Sequence, residues 1–271
     1  MFLSEPGTTN YDINFSLFGF PIRVHPAFFI MPLILGSSFL RSDAMNAGVA
    51  MLALMAVFFF AVLIHELGHA FAFRYYGIES RVVLYWMGGL AIPDRGNSWS
   101  QPTASLNPQQ QIVVSLAGPV FGFLLAALLV GVVLAIGGSI RMGWLGIIPM
   151  PVSYMPDDLF AESLASPLGL FFQIGIFANI FLNLLNLAPV FPLDGGQIAR
   201  QIFIINDPSQ GVRYSMMLSV LFGGIVAVMS LMNGDQFIGF FFGFMAWSNY
   251  MSMQQLGGGG FGGGYGGRRP W

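Results

Sequence analysis

The sequence predicts an all-α polytopic membrane protein with about six transmembrane helices and a small β-strand or hairpin at the membrane surface. Of its 271 residues, 55% are apolar and only 8% are charged, and uncharged stretches recur along the chain. An ordinary soluble domain carries about 25% charged residues. This composition, with a net charge of -2, excludes an ordinary cytosolic domain, a disordered chain and an electrostatic nucleic-acid binder.

The uncharged stretches set the number of spans, because a helix that rises ~1.5 Å per residue needs about 20 apolar residues to cross the bilayer. We expect spans at 25–40, 47–73, 111–137, 168–190, 215–232 and 236–252. Pro26 and Pro32 interrupt the first stretch, so a re-entrant or surface helix is the alternative there. Asn233-Gly234-Asp235 predicts a tight turn between the last two spans.

The arginines predict the orientation of the chain in the membrane. Eight of the ten lie in one alternating set of segments, and only Arg41 and Arg141 lie in the other set. By the positive-inside rule, the richer set is cytoplasmic. We therefore expect an integral, multi-pass protein with both its N- and C-termini in the cytoplasm.

Three segments outside the spans have their own composition. Ile78–Pro93 is rich in β-branched and aromatic residues and contains Gly88-Gly89, which predicts a short strand or hairpin. The 141–166 loop carries three prolines, and we expect it to be irregular and to lie outside. The Gly-rich tail, 253–271, is expected to be flexible.

The candidate chemistry starts at the HELGH sequence of residues 65–69. On a helix, His65 and His69 lie four residues apart and project from one face, near enough to bind one zinc ion. Glu66 is available there as a general base. The chain has only three histidines, and these two follow about 20 uncharged residues, where ionisable groups are usually functional.

A catalytic zinc normally has three protein ligands, so a third ionisable residue is required on the same side of the membrane. Glu162 is expected on the outer side and does not fit. Asp194 ends an uncharged stretch at its cytoplasmic end, where the two histidines are also expected. Pro189, Pro192 and Gly195-Gly196 interrupt the helix around it, which offers a way to place a carboxylate beside the metal.

Three amides, Asn179, Asn183 and Asn186, lie in the apolar span before this break. Asn186 is the best placed of them to bind a substrate backbone near the metal. The alternative is that the amides only satisfy freed carbonyls or link helices.

The motifs together resemble the site-2 protease family, zinc metalloproteases that cut peptide bonds inside membranes. They are FGFPIRVHPAFF, HELGHA, SLAGPVFGF and NLLNLAPVFPLDGG, and they cover roughly residues 18–205. The resemblance implies that His65, His69 and Asp194 bind zinc, that Glu66 is the general base and that Asn186 supports substrate binding. It also implies that a strand at about 80–92 receives an extended substrate. No PDZ insertion and no CBS domain are expected in these 271 residues.

This resemblance divides the chain into a cytoplasmic segment 1–24, an intramembrane metalloprotease domain 25–252 and the tail. The implied partners are the lipid bilayer and transmembrane protein substrates, without nucleic acid; whether the chain forms a homo-oligomer is left open. The alternatives are a non-catalytic membrane scaffold or a metal transporter with a zinc site. A transporter would show repeats or ionisable groups along a path, and a scaffold would not need Glu66. A prenyl-protein protease would need a later glutamate, and Glu162 is the last one.

Two further features have open roles. His25 lies in PIRVHP before the first span, where it is expected either to contact substrate or to anchor a helix start. Gly118-Pro119 is expected to shape a tightly packed helix rather than to take part in the chemistry.

Overall fold

Seven helices and two small sheets make up the described part of the chain, which comprises residues 5–36, 47–94, 106–145, 148–154 and 167–257 of a computed structural model. The chain divides between Leu187 and Ala188 into two compact units. The first unit holds the sheets and four helices, and the second holds three helices.

The helices of the first unit are α1 (Ile30–Leu35), α2 (Ala47–Tyr75), α3 (Pro108–Ala135) and α4 (Pro167–Asn186). A short 3-10 helix, Pro26–Phe29, leads into α1. The start of α3 is fixed by a capping box, in which Asn107 accepts from the Gln110 N–H and the Gln110 side chain accepts from the Asn107 N–H.

Four strands of the first unit form one sheet in the order β1-β2-β3-β4. The strands are β1 (Ile13–Leu17), β2 (Phe20–Val24), β3 (Ser80–Tyr85) and β4 (Gly88–Pro93). β1 with β2 and β3 with β4 are antiparallel hairpins, and β2 pairs with β3 in parallel. The hairpin predicted within Ile78–Pro93 is therefore present, but it is half of a larger sheet whose other half comes from the N-terminal segment.

The sheet is positioned by the half of α2 that carries the HELGH sequence. One core cluster joins strand residues such as Ile22 and Leu84 to Val62 and Leu67 of α2, with Phe28 completely buried among them. Burying these side chains ties the sheet to the helix face beside His65. The HELGH sequence thus lies beside this core cluster.

Residues before β1 are held to the same sheet by ion pairs. Glu5 bonds Arg23 of β2 at 3.0 Å and Arg81 of β3 at 2.8 Å, and Asp12 also pairs with Arg23. The hydrogen bond to Glu5 is the main cause of a raised pKa for Arg81, so this guanidinium stays charged.

The prediction of an irregular 141–166 loop is wrong for its first part. Ser139–Leu145 (β5) and Ile148–Tyr154 (β6) form an antiparallel hairpin. Pro149 and Pro151 are compatible with strand β6 because a two-stranded hairpin leaves one side of each strand without ladder hydrogen bonds. Residues 155–166, which include Glu162, lie outside the described residues.

The second unit contains α5 (Asp194–Asn206), α6 (Gly211–Met232) and α7 (Gln236–Gly257). The predicted turn between α6 and α7 is present, with Gly234 at a positive φ of 85°. The tail beyond residue 257 lies outside the described residues.

Within the part of the chain that the structure describes, four helices are long and apolar enough to cross a membrane: Gly48–Tyr75, Pro108–Ala135, Gly169–Asn186 and Gly211–Met232. They match the second to fifth predicted spans. The first predicted span holds only the short apolar helical segment Pro26–Leu35 within the described residues, and α7 has the length but not the same apolar character. The helical membrane class is confirmed, and a total of six spans stays a prediction.

Candidate metal centre

His65 and His69 project from one face of α2, as their spacing predicts. Their Nε2 atoms lie 3.1 Å apart, and the two rings are nearly perpendicular, at 79°. Both side chains are buried, at 6% and 8% exposure. The pair therefore presents two converging nitrogens away from bulk solvent.

Asn183 of α4 selects the tautomer of the His65 ring. The Asn183 Nδ2 donates to the backbone carbonyl of Asn179, which turns its Oδ1 toward His65 Nδ1 at 2.7 Å. Because an amide oxygen only accepts, the Nδ1 must carry the hydrogen. In the neutral imidazole, the Nε2 of His65 then carries the lone pair.

The backbone of α3 does the same for His69. Its Nδ1 lies 2.7 Å from the carbonyl oxygen of Val114, which is also only an acceptor. In neutral rings the two Nε2 atoms, 3.1 Å apart, are therefore the nitrogens available to a metal ion. Zinc suits this donor set, since it binds neutral imidazole nitrogens at about 2.0–2.1 Å and its ligating histidines donate their other N–H to an oxygen.

Gly118 of α3 keeps space open at the converging nitrogens. A Cβ at this position would lie 2.7 Å from His65 Nε2 and closer still to His69 Nε2. α3 comes this near because Gly68 of α2 faces it, and a Cβ there would lie 2.5 Å from the Ala117 carbonyl oxygen. Gly118 therefore shapes the helix packing, as expected, and also borders the proposed metal position.

The side chain of Glu66 contacts the backbone of strand β4. A Cβ on Gly89 would be 2.6 Å from Glu66 Oε1, so the strand backbone rests directly on this carboxylate. Glu66 is buried at 6% exposure. A buried carboxylate beside two potential metal ligands has the placement that a general base requires.

Tyr85, at the end of β3, adds a phenol to this region. Burial raises the pKa of Tyr85, and the negative charge of Glu66 raises it further. The phenol therefore stays neutral throughout the neutral pH range.

Two asparagines of α4, Asn183 and Asn186, lie beside His65. Asn186 Nδ2 is 3.4 Å from His65 Nε2, so the residue predicted to bind substrate lies beside the candidate metal position. Sequence reasoning gave the greater weight to Asn186 and overlooked that Asn183 orients His65. The signal was available, since residues 179, 183 and 186 recur at helical spacing on one face of an apolar helix.

The third predicted ligand belongs to the second unit. Asp194 is the first residue of α5 and is buried, as are both histidines. Leu193 is the N-cap of this helix, so the carboxylate lies at the positive end of the helix dipole.

His25 has a structural role within the described residues. The backbone N–H of His25 donates to the Leu84 carbonyl oxygen at 2.9 Å, and the side-chain Nδ1 accepts from the Ala27 backbone N–H at 3.1 Å. The side chain thereby caps the short helix that follows β2. This agrees with the expectation that His25 anchors a helix start.

The fold and this site define a class of protein: the chain belongs to peptidase family M50, whose family model matches residues 53–227. The matched range contains both histidines, Glu66, Asn186 and Asp194. With the apolar helices described above, family membership makes the chain an integral membrane protein.

Particular relatives carry matching names. The chain is 26% identical over 229 residues to a zinc metalloprotease of Methanocaldococcus jannaschii, covering 83% of this chain and 54% of the relative. It is 29% identical over 228 residues to a Synechocystis sp. protein provisionally named a zinc metalloprotease, covering 80% and 51%. The chain thus spans about half the length of these curated relatives.

A solved structure shares the fold. The site-2 protease from Methanocaldococcus jannaschii superposes with a TM-score of 0.53 at 20% sequence identity, covering 90% of this chain and 95% of that one. This likeness is one of fold.

Proposed function

We propose that this chain is a zinc-dependent intramembrane endopeptidase that cleaves transmembrane segments of membrane-protein substrates. The observation that supports this most directly is the pair of Nε2 atoms 3.1 Å apart, in two rings whose Nδ1 atoms each lie 2.7 Å from an oxygen acceptor. Membership in a peptidase family and relatives named as zinc metalloproteases point to the same activity.

His65, His69 and Asp194 would hold one zinc ion per chain. The assignment of Asp194 rests on its burial, on its place after an apolar span and on the family motif around it. Three protein ligands leave the fourth position of a tetrahedral zinc for water or substrate. When bound, zinc makes a water molecule acidic enough to lose a proton near neutral pH, and it polarises a carbonyl group.

Glu66 would move the proton during hydrolysis. Its carboxylate accepts the proton of the attacking water and then donates it to the nitrogen of the leaving amine as the peptide bond breaks. Burial beneath Gly89 keeps this carboxylate in place and away from bulk solvent.

Asn186 would bind the substrate. Its Nδ2 is within 3.4 Å of His65 Nε2, so a substrate carbonyl at the site would lie within reach of this donor. A positioned amide donor stabilises the negative charge that develops on such an oxygen.

Strand β4 would receive the unwound substrate. A helical segment has its carbonyls in hydrogen bonds, so it must unwind before attack, and adding it to a sheet edge pairs the freed groups. β3 is paired on both sides, by β2 and β4, so within the predicted 80–92 segment it is β4 that forms an edge of the described sheet, and β4 also contacts Glu66. We propose cytoplasmic termini and access of water from the cytoplasmic side, as the arginine distribution predicts.

The decisive experiment replaces Glu66. Glu66→Gln keeps the size of the side chain but removes the basicity, so turnover should fall by roughly 10²–10⁴-fold while zinc stays bound. Membrane-protein fragments from cells that carry the wild type or the variant would be compared, and zinc would be measured in both purified proteins.

Glu79→Gln is the matched control, because Glu79 is exposed just before β3. It should process substrates like the wild type. If Glu66→Gln cut a genuine substrate at the wild-type rate, the protease mechanism would be wrong, and a scaffold with a metal site would be favoured.

A further inference from the structure

Phe191 lies in the break between α4 and α5, and its backbone forms hydrogen bonds with both α6 and α7. α4 ends at Asn186 and α5 begins at Asp194, and Pro189 and Pro192 have no N–H to offer within this segment. The Phe191 N–H donates to Ser219 Oγ of α6 at 2.9 Å, and the Phe191 carbonyl accepts from Asn249 Nδ2 of α7 at 2.6 Å. Both backbone groups of Phe191 are thus paired with side chains of other helices.

Each of the two side chains is oriented for this role by a second bond. Ser219 Oγ donates its own hydrogen to the Ser215 carbonyl at 2.8 Å, so its lone pair faces Phe191. Asn249 Nδ2 also donates to the Met245 carbonyl at 2.8 Å. Both residues are buried, at 0% and 3% exposure.

Asn249 is a costly residue to bury for packing alone. Its Oδ1 has no hydrogen-bond partner among the described residues, and an unsatisfied buried carbonyl lowers stability. An apolar side chain of similar size would avoid that cost. The contact with Phe191 gives a reason for an amide at this position.

Short backbone contacts link the segment around Phe191 to the start of α5, where Asp194 lies. The Leu193 N–H donates to the Val190 carbonyl at 2.9 Å, which closes a turn immediately before α5. Gly196, in the first turn of α5, packs on the same segment so closely that a Cβ would lie 2.5 Å from the Val190 oxygen. A shift of Phe191 is therefore transmitted to the start of α5.

We propose that Ser219 and Asn249 are positioning residues that fix Asp194 as a zinc ligand by holding both backbone groups of Phe191. This inference rests on the proposed function, since it takes Asp194 to be a ligand. It gives α6 and α7 a role in metal binding although neither helix supplies a ligand.

The test measures the zinc dissociation constant of the full-length protein, in detergent, by competition with a zinc chelator. Ser219→Ala removes one acceptor, and Asn249→Leu removes the donor at similar volume. Each should weaken zinc binding by roughly 10–100-fold, the effect typical of residues that orient a ligand. Ser219→Thr keeps the hydroxyl and should restore most of the affinity.

Two controls remove comparable bonds elsewhere in the same unit. Ser215 donates to the Val212 carbonyl one turn earlier in α6, and Asn206 donates to the Ile202 carbonyl at the end of α5. Ser215→Ala and Asn206→Leu should leave the zinc dissociation constant unchanged. A thermal melt of every variant separates loss of stability from loss of zinc affinity.

A double-mutant cycle with Asp194→Ala tests whether Ser219 affects zinc binding through Asp194. If Ser219 acts through Asp194, Ser219→Ala should have no further effect on zinc affinity once Asp194 is alanine. Unchanged affinity in both Ser219→Ala and Asn249→Leu, with weakened binding in Asp194→Ala, would overturn this inference and leave the proposed function intact. Unchanged affinity in Asp194→Ala itself would instead overturn the proposed ligand set, and this inference with it.

Discussion

Two hydrogen bonds decide what the histidine pair can do. Asn183 Oδ1 and the Val114 carbonyl each accept from an Nδ1 atom, so that in the neutral rings both Nε2 atoms can bind a metal ion. The spacing of His65 and His69 was sufficient to predict one shared face. The oxygens that fix their protonation come from α4 and α3, and no local pattern at residues 65–69 indicates them.

Asn183 provides the first prediction at this scale. Asn183→Ala should weaken zinc binding by roughly 10–100-fold, because His65 loses the acceptor that orients its ring. Asn179→Ala is the matched control, since Asn179 lies one turn earlier and its Nδ2 bonds the Gly175 carbonyl. Chelator competition on both variants measures the difference, and equal zinc affinities would show that Asn183 does not orient His65.

Gly118 provides the second. Gly118→Ala should abolish stoichiometric zinc binding, because the added Cβ would lie 2.7 Å from His65 Nε2 and nearer to His69 Nε2. Gly131→Ala, in the same helix, meets no atom within 4 Å and should bind about one zinc per chain, as a mononuclear site requires. Elemental analysis of the purified proteins measures the zinc. Full occupancy in Gly118→Ala would remove this glycine from the site.

At the scale of elements, the structure differs from the sequence prediction where pairing is non-local. The hairpin β3–β4 follows from a β-rich segment with a glycine pair, and it was predicted. The parallel pairing of β2 with β3 joins residues such as Ile22 and Val82 across α1 and α2, and a local pattern does not indicate such a partner. The β5–β6 hairpin was missed because its prolines favour an irregular loop.

The position of β4 over Glu66 leads to the third prediction. Gly89→Ala would place a Cβ 2.6 Å from Glu66 Oε1 and displace the carboxylate, so cleavage should fall at least tenfold. Zinc should stay bound, because Glu66 is not a proposed ligand. This combination distinguishes Gly89→Ala from Gly118→Ala. A variant that cleaved substrates normally would mean that β4 does not constrain the base.

At the scale of the whole molecule, composition predicts the helical membrane class, while the number of spans stays a prediction. Four of the described helices meet the length and hydropathy of a span. α7 is harder to assign, because Gln236, Asn249 and Gln254 lower its apolar character. Asn249 donates a hydrogen bond to the Phe191 carbonyl. One of the polar residues that lower the hydropathy of α7 therefore has a structural role.

Orientation gives the last prediction, and the absence of cysteine makes it simple to test. Ser209 and Asp235 are exposed and flank α6, and Gln255 is exposed near the end of α7. If the arginine asymmetry sets the topology, an impermeant thiol reagent added outside intact cells should label Asp235→Cys. It should label Ser209→Cys and Gln255→Cys only after the membrane is opened. Labelling of Ser209→Cys and Gln255→Cys but not Asp235→Cys from outside would reverse the orientation. Labelling of both Asp235→Cys and Gln255→Cys from outside would show that α7 does not span, since its two ends would then lie on one side.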